Sequence, residues 1–299
     1  MRLLLIAGVC AAAALRFFGP ASDPVPADEH AGHVAVAAVA GLEATQTAGL
    51  PASNATAAER LEKSPRHGEW VSVRVGPTDS VTTWVVYPER RDKAPVVLVI
   101  HDNRGITDWS RSVADQLAAD GFIGIAVDLL TMKRGNQNLF SVWPVDSVRA
   151  VLGSLTPEAI NRSLDAVARY GMALPAALPK YGVVGFCWGG ARSFLHATAA
   201  PGLGAAVVYY GSPPSAEAMA AIKAPVLGFY GGNDARINAT IPATDSAMKR
   251  LGKTYQYHIF EGAGHGFLSG QEGQNGANLT ASQQAWPKTI AFFKSNLGG

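Results

Sequence analysis

Five short, unbroken apolar runs constrain this chain more than any other feature: Val96–Ile100, Phe122–Val127, Tyr181–Phe186, Ala205–Tyr210 and Val226–Tyr230. A strand wetted on one face alternates apolar with polar residues. These runs do not alternate, so each needs cover on both faces, as in a central parallel sheet. Helical patterns lie between them. Val113, Leu117 and Ala118 recur at helical spacing, and so do Ile160, Leu164, Val167 and Ala168 behind Pro157, a residue suited to a first turn. Strands alternating with helices imply parallel pairing through right-handed crossovers. Trp70–Val75 and Val81–Tyr87, joined by the turn-forming residues Gly76 to Ser80, read as a hairpin, and Tyr255–Phe260 as a last strand. The expected fold is an α/β sandwich: a mostly parallel sheet of about eight strands with helices on both faces, spanning residues 67–299.

The N-terminal residues read differently. Arg2 precedes thirteen apolar residues, Leu3 to Leu15, and Arg16 ends them. A membrane-spanning helix needs roughly 20 apolar residues, whereas a secretory signal core needs about 7–15. Small-residue cleavage patterns follow near Ala21 and Ala27, and Val9 before Cys10 does not suit lipidation. Residues 1–21 are therefore expected to be a signal peptide and the mature protein periplasmic or secreted, without stable membrane association after cleavage; an uncleaved anchor is the alternative. Between Gly19 and Glu69 there is no Phe, Trp or Tyr, and alanine dominates. Such a stretch buries too little surface to offset the entropy of ordering it. Residues 22–66 are expected to be a flexible linker with transient helix around Thr56 to Glu62. Asp28, Glu29, His30 and His33 fall in that arm and read as solubilising groups, not as metal ligands.

With 25 Lys and Arg against 23 Asp and Glu, the net charge is +2, and no basic cluster exceeds a pair. A nucleic-acid partner is therefore not expected. In open α/β sheets chemistry collects beyond the carboxyl ends of the strands. After Tyr181–Phe186 the chain reads Gly185-Phe186-Cys187-Trp188-Gly189-Gly190 and enters a helical stretch. This is a nucleophile bend, in which glycines two positions either side avoid collision and cysteine stands where serine is usual. The competing reading is a buried thiol acting as a small hydrophobe. Against it, Cys10 departs with the signal peptide, which leaves Cys187 as a lone thiol in an oxidising compartment. A nucleophile needs a base and an orienter, in the chain order nucleophile, acid, histidine. Asp234 follows the strand Val226–Tyr230 and His265 follows Tyr255–Phe260, each among glycines.

These segments, Gly185 to Gly190, Asn233-Asp234 and Gly264-His265-Gly266-Phe267, resemble the dienelactone hydrolase (carboxymethylenebutenolidase) family of the α/β-hydrolase superfamily, over roughly residues 67–297. The resemblance implies a triad of Cys187, His265 and Asp234. It also implies an auxiliary acid on the loop His101-Asp102-Asn103-Arg104-Gly105, where Asp102 stands in the position of a family Glu. Asp is one methylene shorter, which weakens its reach to the thiol; a solvent-facing carboxylate or a partner for Arg104 are the alternatives. Superfamily logic assigns the oxyanion hole to the N–H groups of Trp188 and Asn103. The helix N-terminus after Cys187 adds a field that favours thiolate and oxyanion. Family members that take dienelactone hold its carboxylate with arginines, one shortly after the catalytic histidine. Here Gly266-Phe267-Leu268-Ser269 carries none. Arg104 and Arg192 are the substrate-binding candidates, with Arg134 and Arg149 as further cations, and Met132–Trp143 reads as a lid.

The expected function is hydrolysis of a small-molecule ester or lactone through a thioester acyl-enzyme, broader than dienelactone itself and needing no cofactor or metal. An acyltransferase or peptidase on the same triad, or a non-catalytic protein keeping the fold as a scaffold, are the alternatives. The sequence does not speak to oligomeric state.

Overall fold

Each apolar run forms a strand. The computed structural model describes residues 49–134 and 144–298. Its eight strands are β1 (Gly68–Arg74), β2 (Ser80–Val86), β3 (Ala94–Ile100), β4 (Ile123–Asp128), β5 (Ala177–Phe186), β6 (Ala205–Tyr209), β7 (Val226–Gly231) and β8 (Tyr255–Phe260). They lie in one sheet in the order β1-β2-β4-β3-β5-β6-β7-β8. β2 is antiparallel to β1 and to β4, and all later pairings are parallel. Every residue of β3, β4, β6 and β7 is buried, as runs without alternation require.

The longer helices are α1 (Ala57–Glu62), α2 (Asp108–Ala119), α3 (Val145–Gly153), α4 (Pro157–Ala173), α5 (Trp188–Ala199), α6 (Ile241–Arg250) and α7 (Ala277–Leu297). Along β3 the side chains divide by parity. Val96, Leu98 and Ile100 join one apolar cluster with Ile160 and Leu164 of α4, Phe194 of α5 and Met248 of α6. Val97 and Val99 join another with Val113 and Leu117 of α2 and Trp286 and Phe293 of α7. The two cores are the two faces of the sheet, so the fold is the expected mostly parallel α/β sandwich. Local signals start the helices where the sequence places them. Thr107 and Ser110 form a capping box on α2, and Pro157 opens α4 behind Thr156, whose hydroxyl accepts from the Ala159 N–H at 3.3 Å. Helix α7 was not anticipated, because Pro287 interrupts an otherwise mixed stretch; the fold holds it by burying Trp286, Phe293 and Leu297.

The linker expectation is corrected over 49–66. Leu50, Ala52 and Ala57 are buried in the same cluster as Trp109 and Val113. Arg66 donates to Asp115 through Nε (2.9 Å) and Nη2 (2.6 Å), Ser64 donates to the same carboxylate at 2.5 Å, and Arg60 donates to Gln116 at 2.6 Å. The segment lacks large apolar side chains and so builds no core of its own; it is ordered by borrowing one from α2. The remainder of the expected linker, the signal peptide and most of the expected lid lie outside the described residues. Among the described residues no helix is long and apolar enough to cross a membrane.

One buried group is expected to make the fold acid-sensitive. His196 of α5 is fully buried. Its Nδ1 faces Asn161 Oδ1 of α4 at 3.0 Å and its Nε2 faces the Tyr181 hydroxyl of β5 at 3.1 Å. The neutral ring donating to Asn161 and accepting from Tyr181 satisfies both contacts, and burial pushes its pKa down to about 4. Asp165, 4.0 Å from Nε2, is the carboxylate facing it. A histidine whose folded pKa lies below its unfolded value contributes stability above about pH 6.5 that is lost as pH falls toward 4. Over that span roughly 3 kcal/mol is at stake, at about 1.4 kcal/mol per pKa unit. Urea denaturation at pH 7, 5.5 and 4.5 is expected to show this decline, with a shallower slope in His196→Gln.

Candidate active site

Cys187 sits between β5 and α5 with φ +56° and ψ −113°, a conformation costly for a side chain other than glycine. Its N–H donates to Tyr209 O at 3.0 Å and its carbonyl accepts from Ala191 N at 3.2 Å, which ties the bend to β6 and to its own helix. Two glycines make the bend possible. A Cβ on Gly185 would lie 2.0 Å from the carbonyl oxygen of Gly189, and one on Gly189 would lie 2.3 Å from that of His101. The second contact also brings the end of β3 against the start of α5, and the His101 ring stacks on Trp188 with centroids 5.7 Å apart. Trp188 is the first residue of α5, so its N–H has no acceptor within the helix. Asn103 lies on the adjoining β3 loop.

Asp234 follows β7, is buried, and accepts from Ile237 N at 3.4 Å through Oδ1. Its Oδ2 receives His265 Nδ1 at 2.5 Å. The loops that carry the two residues are stitched together: Asn233 N donates to Ala263 O at 2.9 Å and Asn233 Nδ2 to Gly262 O at 2.9 Å. On its other side His265 interacts with Cys187, and that interaction is the largest influence raising the imidazole pKa above its ordinary value; burial opposes it, and the Asp234 hydrogen bond adds to it. The three residues expected to act together are thus adjacent, at the carboxyl ends of β5, β7 and β8.

Asp102 departs from expectation. It is buried, not solvent-facing, and is held by Arg104: Nε lies 2.9 Å from Oδ2 and 3.1 Å from Oδ1, Nη2 also donates to Oδ2, and Arg104 N donates to Oδ1 at 2.9 Å. The carboxylate reserved in the sequence reading for the thiol is engaged by its own neighbour, because an Arg two residues on can fold back over so short a side chain. Arg192 is half-buried with its guanidinium 5.0 Å from the Trp188 ring centroid. Arg149 is on the surface beside Asp146, 3.4 Å away.

Tyr210 was missed. It directly follows β6 with φ +42°, is 2% exposed, and its buried hydroxyl has no hydrogen-bond partner among the described residues. Its ring centroid lies 5.0 Å from that of His265, and burial, with the Asp102 carboxylate adding to it, pushes the phenol pKa up. The signal available was its place at the carboxyl end of the strand next to the nucleophile bend. A cavity of about 290 Å³ lies elsewhere, between α1, β2 and α2, lined in part by Arg66, Trp84, Arg111 and Asp115. Its two arginines are already ion-paired, Arg66 with Asp115 and Arg111 with Asp108.

A sheet of this strand order, with a strained cysteine bend after β5 and an aspartate and a histidine after β7 and β8, has the arrangement of an α/β-hydrolase. The comparisons narrow the class. The family model described as "Dienelactone hydrolase family" matches residues 81–297, and the chain belongs to that family, whose members are hydrolases of lactones and esters. A "Putative carboxymethylenebutenolidase" of Saccharolobus solfataricus is 29% identical over 229 residues, covering 66% of this chain and 88% of the relative. Among solved structures, a dienelactone hydrolase-like promiscuous phosphotriesterase from metagenomic libraries superposes with TM-score 0.64 at 23% identity, covering 78% of this chain and 99% of that one. The dienelactone hydrolase of Anabaena variabilis does so with TM-score 0.60 at 23% identity, with the same coverage.

Proposed function

We propose that the protein hydrolyses activated esters and lactones in two acyl-transfer steps, with Cys187 as nucleophile, His265 as base and Asp234 as orienter. The observation that carries this reading is the Asp234–His265 hydrogen bond with Cys187 interacting on the other side of the ring, its thiol held on a strained bend at a helix N-terminus. In the first step Cys187 Sγ attacks the carbonyl carbon and its proton passes to His265. The carbonyl π electrons move onto oxygen, which then accepts hydrogen bonds from the N–H groups of Trp188 and Asn103. Collapse expels the alcohol or enol oxygen, protonated by His265, and leaves a thioester. In the second step His265 takes a proton from water, the hydroxide oxygen adds to the thioester, and collapse returns the thiol and releases the acid. For a lactone the expelled oxygen stays on the acyl chain, so one product results.

A thiolate is also a good leaving group. The first intermediate moves forward best when the departing oxygen is itself stabilised, as an enolate or phenolate is, so activated esters and unsaturated lactones suit this site better than amides. Arg192, beside Trp188, is the cation placed to recognise an anionic acyl portion, and Arg104 would have to exchange Asp102 for the substrate to do so. A screen of p-nitrophenyl esters, small lactones, peptides and alcohol acceptors tests the proposal. Ester and lactone turnover that depends on Cys187 supports it, and turnover of peptides alone contradicts it.

Asp102→Ala gives a ranking test. Because Asp102 is committed to Arg104, its removal is expected to lower kcat/KM less than His265→Ala does. It is also expected to cost about 1–3 kcal/mol of stability, as for a lost hydrogen bond to a charged group. Steady-state kinetics and thermal melts check both. A loss of activity equal to that of His265→Ala would make Asp102 an obligatory acid.

A further inference from the structure

The segment 50–66 has no group at the reacting centre, yet it is fastened to the loop that carries His265. Asn54 N donates to Ser269 O at 2.8 Å, Gln271 Nε2 donates to Pro51 O at 2.9 Å, and the Ser53 hydroxyl donates to the Glu272 carboxylate. Leu50 and Ala52 are buried in one cluster with Phe267 and Leu268. From Ser269 the connection runs directly back to the neighbour of His265: Ser269 N and Gly270 N donate to Gly266 O at 3.1 and 3.0 Å, and the Ser269 hydroxyl donates to the same oxygen at 3.1 Å. On the opposite side Asn278 of α7 accepts from Gly264 N at 2.9 Å and donates to Gly270 O at 2.7 Å. His265 therefore lies between two fastenings, one from α7 and one from the N-terminal segment.

The loop needs such bracing. Gly262, Gly264, Gly266, Gly270 and Gly273 fall within twelve residues, and Gly262 and Gly266 have φ of +72° and +78°. Glycine loses the most conformational freedom on ordering, so a loop this rich in it holds a defined shape only when neighbours hold it. The far end of the segment is fixed to α2 through the Arg66–Asp115 ion pair. The family match begins at residue 81, so the segment lies outside it.

We propose that residues 50–66 form a strap that positions His265, acting through the Ser269–Gly266 turn to keep the imidazole in register with both Cys187 and Asp234. The strap touches none of the reacting atoms, and its role rests on the triad proposed above. A misplacement of about 1 Å at a reacting group can cost roughly 10²-fold in rate.

The test uses the full chain with p-nitrophenyl acetate, well below the melting temperature. Ser53→Ala and Asn54→Pro loosen the strap from its own side, and Gln271→Leu loosens it from the loop side. The strap role is expected to lower kcat about tenfold or more while leaving KM nearly unchanged. It is also expected to move the acid limb of the kcat/KM profile toward the ordinary histidine pKa, as contacts to Cys187 and Asp234 loosen. Asn54→Pro risks misfolding; Ser53→Ala and Gln271→Leu leave the backbone intact and carry the test if it does. A lower melting temperature with unchanged kcat and unchanged acid limb would overturn the strap role. Cys187→Ala and His265→Ala run alongside: if both lose turnover while the strap variants keep it, the strap inference alone fails. If Cys187→Ala retains turnover, the triad fails and the strap role falls with it.

Discussion

Cys187→Ala is expected to abolish measurable turnover of p-nitrophenyl acetate, with a fall of roughly 10⁴-fold or more in kcat, as when the nucleophile of a triad is removed. No other described thiol exists to replace it, and a neighbouring water lacks the position of a group fixed at φ +56° over a helix start. The fold should be unaffected, because the bend depends on Gly185 and Gly189, not on sulfur. Cys187→Ser keeps the shape but puts a hydroxyl of far higher pKa on the bend, so activity between alanine and wild type is expected. Steady-state kinetics of the three proteins decide the point. Unchanged turnover in Cys187→Ala would leave the bend as a structural feature only.

The second large effect belongs to the imidazole. His265→Ala is expected to lower kcat by about 10²–10⁴-fold, since proton transfer is lost in both steps. Asp234→Asn should approach the same loss by turning the ring to the wrong tautomer. The pH dependence is also defined. A base must be neutral to act, so kcat/KM rises as pH passes through the His265 pKa. The interaction with Cys187 and the hydrogen bond to Asp234 hold that pKa above 6.5, so the midpoint of the acid limb is expected above 6.5. Asp234→Asn removes one of these supports, and its residual activity should titrate at lower pH. A limb below 6.5 in the wild type would mean that a different group is being titrated.

Much of this was legible in the sequence, for identifiable reasons. Strand positions came from runs that cannot tolerate water on either face, and all of them proved to be strands. The candidate site came from the rule that chemistry gathers at strand ends, which led to Cys187, Asp234 and His265 without tertiary information; the structure places Asp234 and His265 in hydrogen-bond contact. Two kinds of feature escaped. Residues 50–66 have little apolar surface of their own, and their order depends on surface supplied by α2, Phe267 and Leu268 from far along the chain. Asp102 and Tyr210 depend on where a side chain turns: the pairing of Asp102 with Arg104 was only one of the alternatives the sequence left open, and Tyr210, which was missed, leans against His265 through a left-handed backbone just after β6. Composition carries no record of such turns.

The most direct measurement of covalent catalysis is the mass of the enzyme itself during turnover. Acid quenching shortly after mixing with p-nitrophenyl acetate, followed by intact mass and peptide mapping, should find one acetyl group on the peptide containing Cys187. That adduct should be absent from Cys187→Ala. Sustained turnover with Cys187 unmodified, or an acetyl group consistently on another residue, would contradict the thioester mechanism.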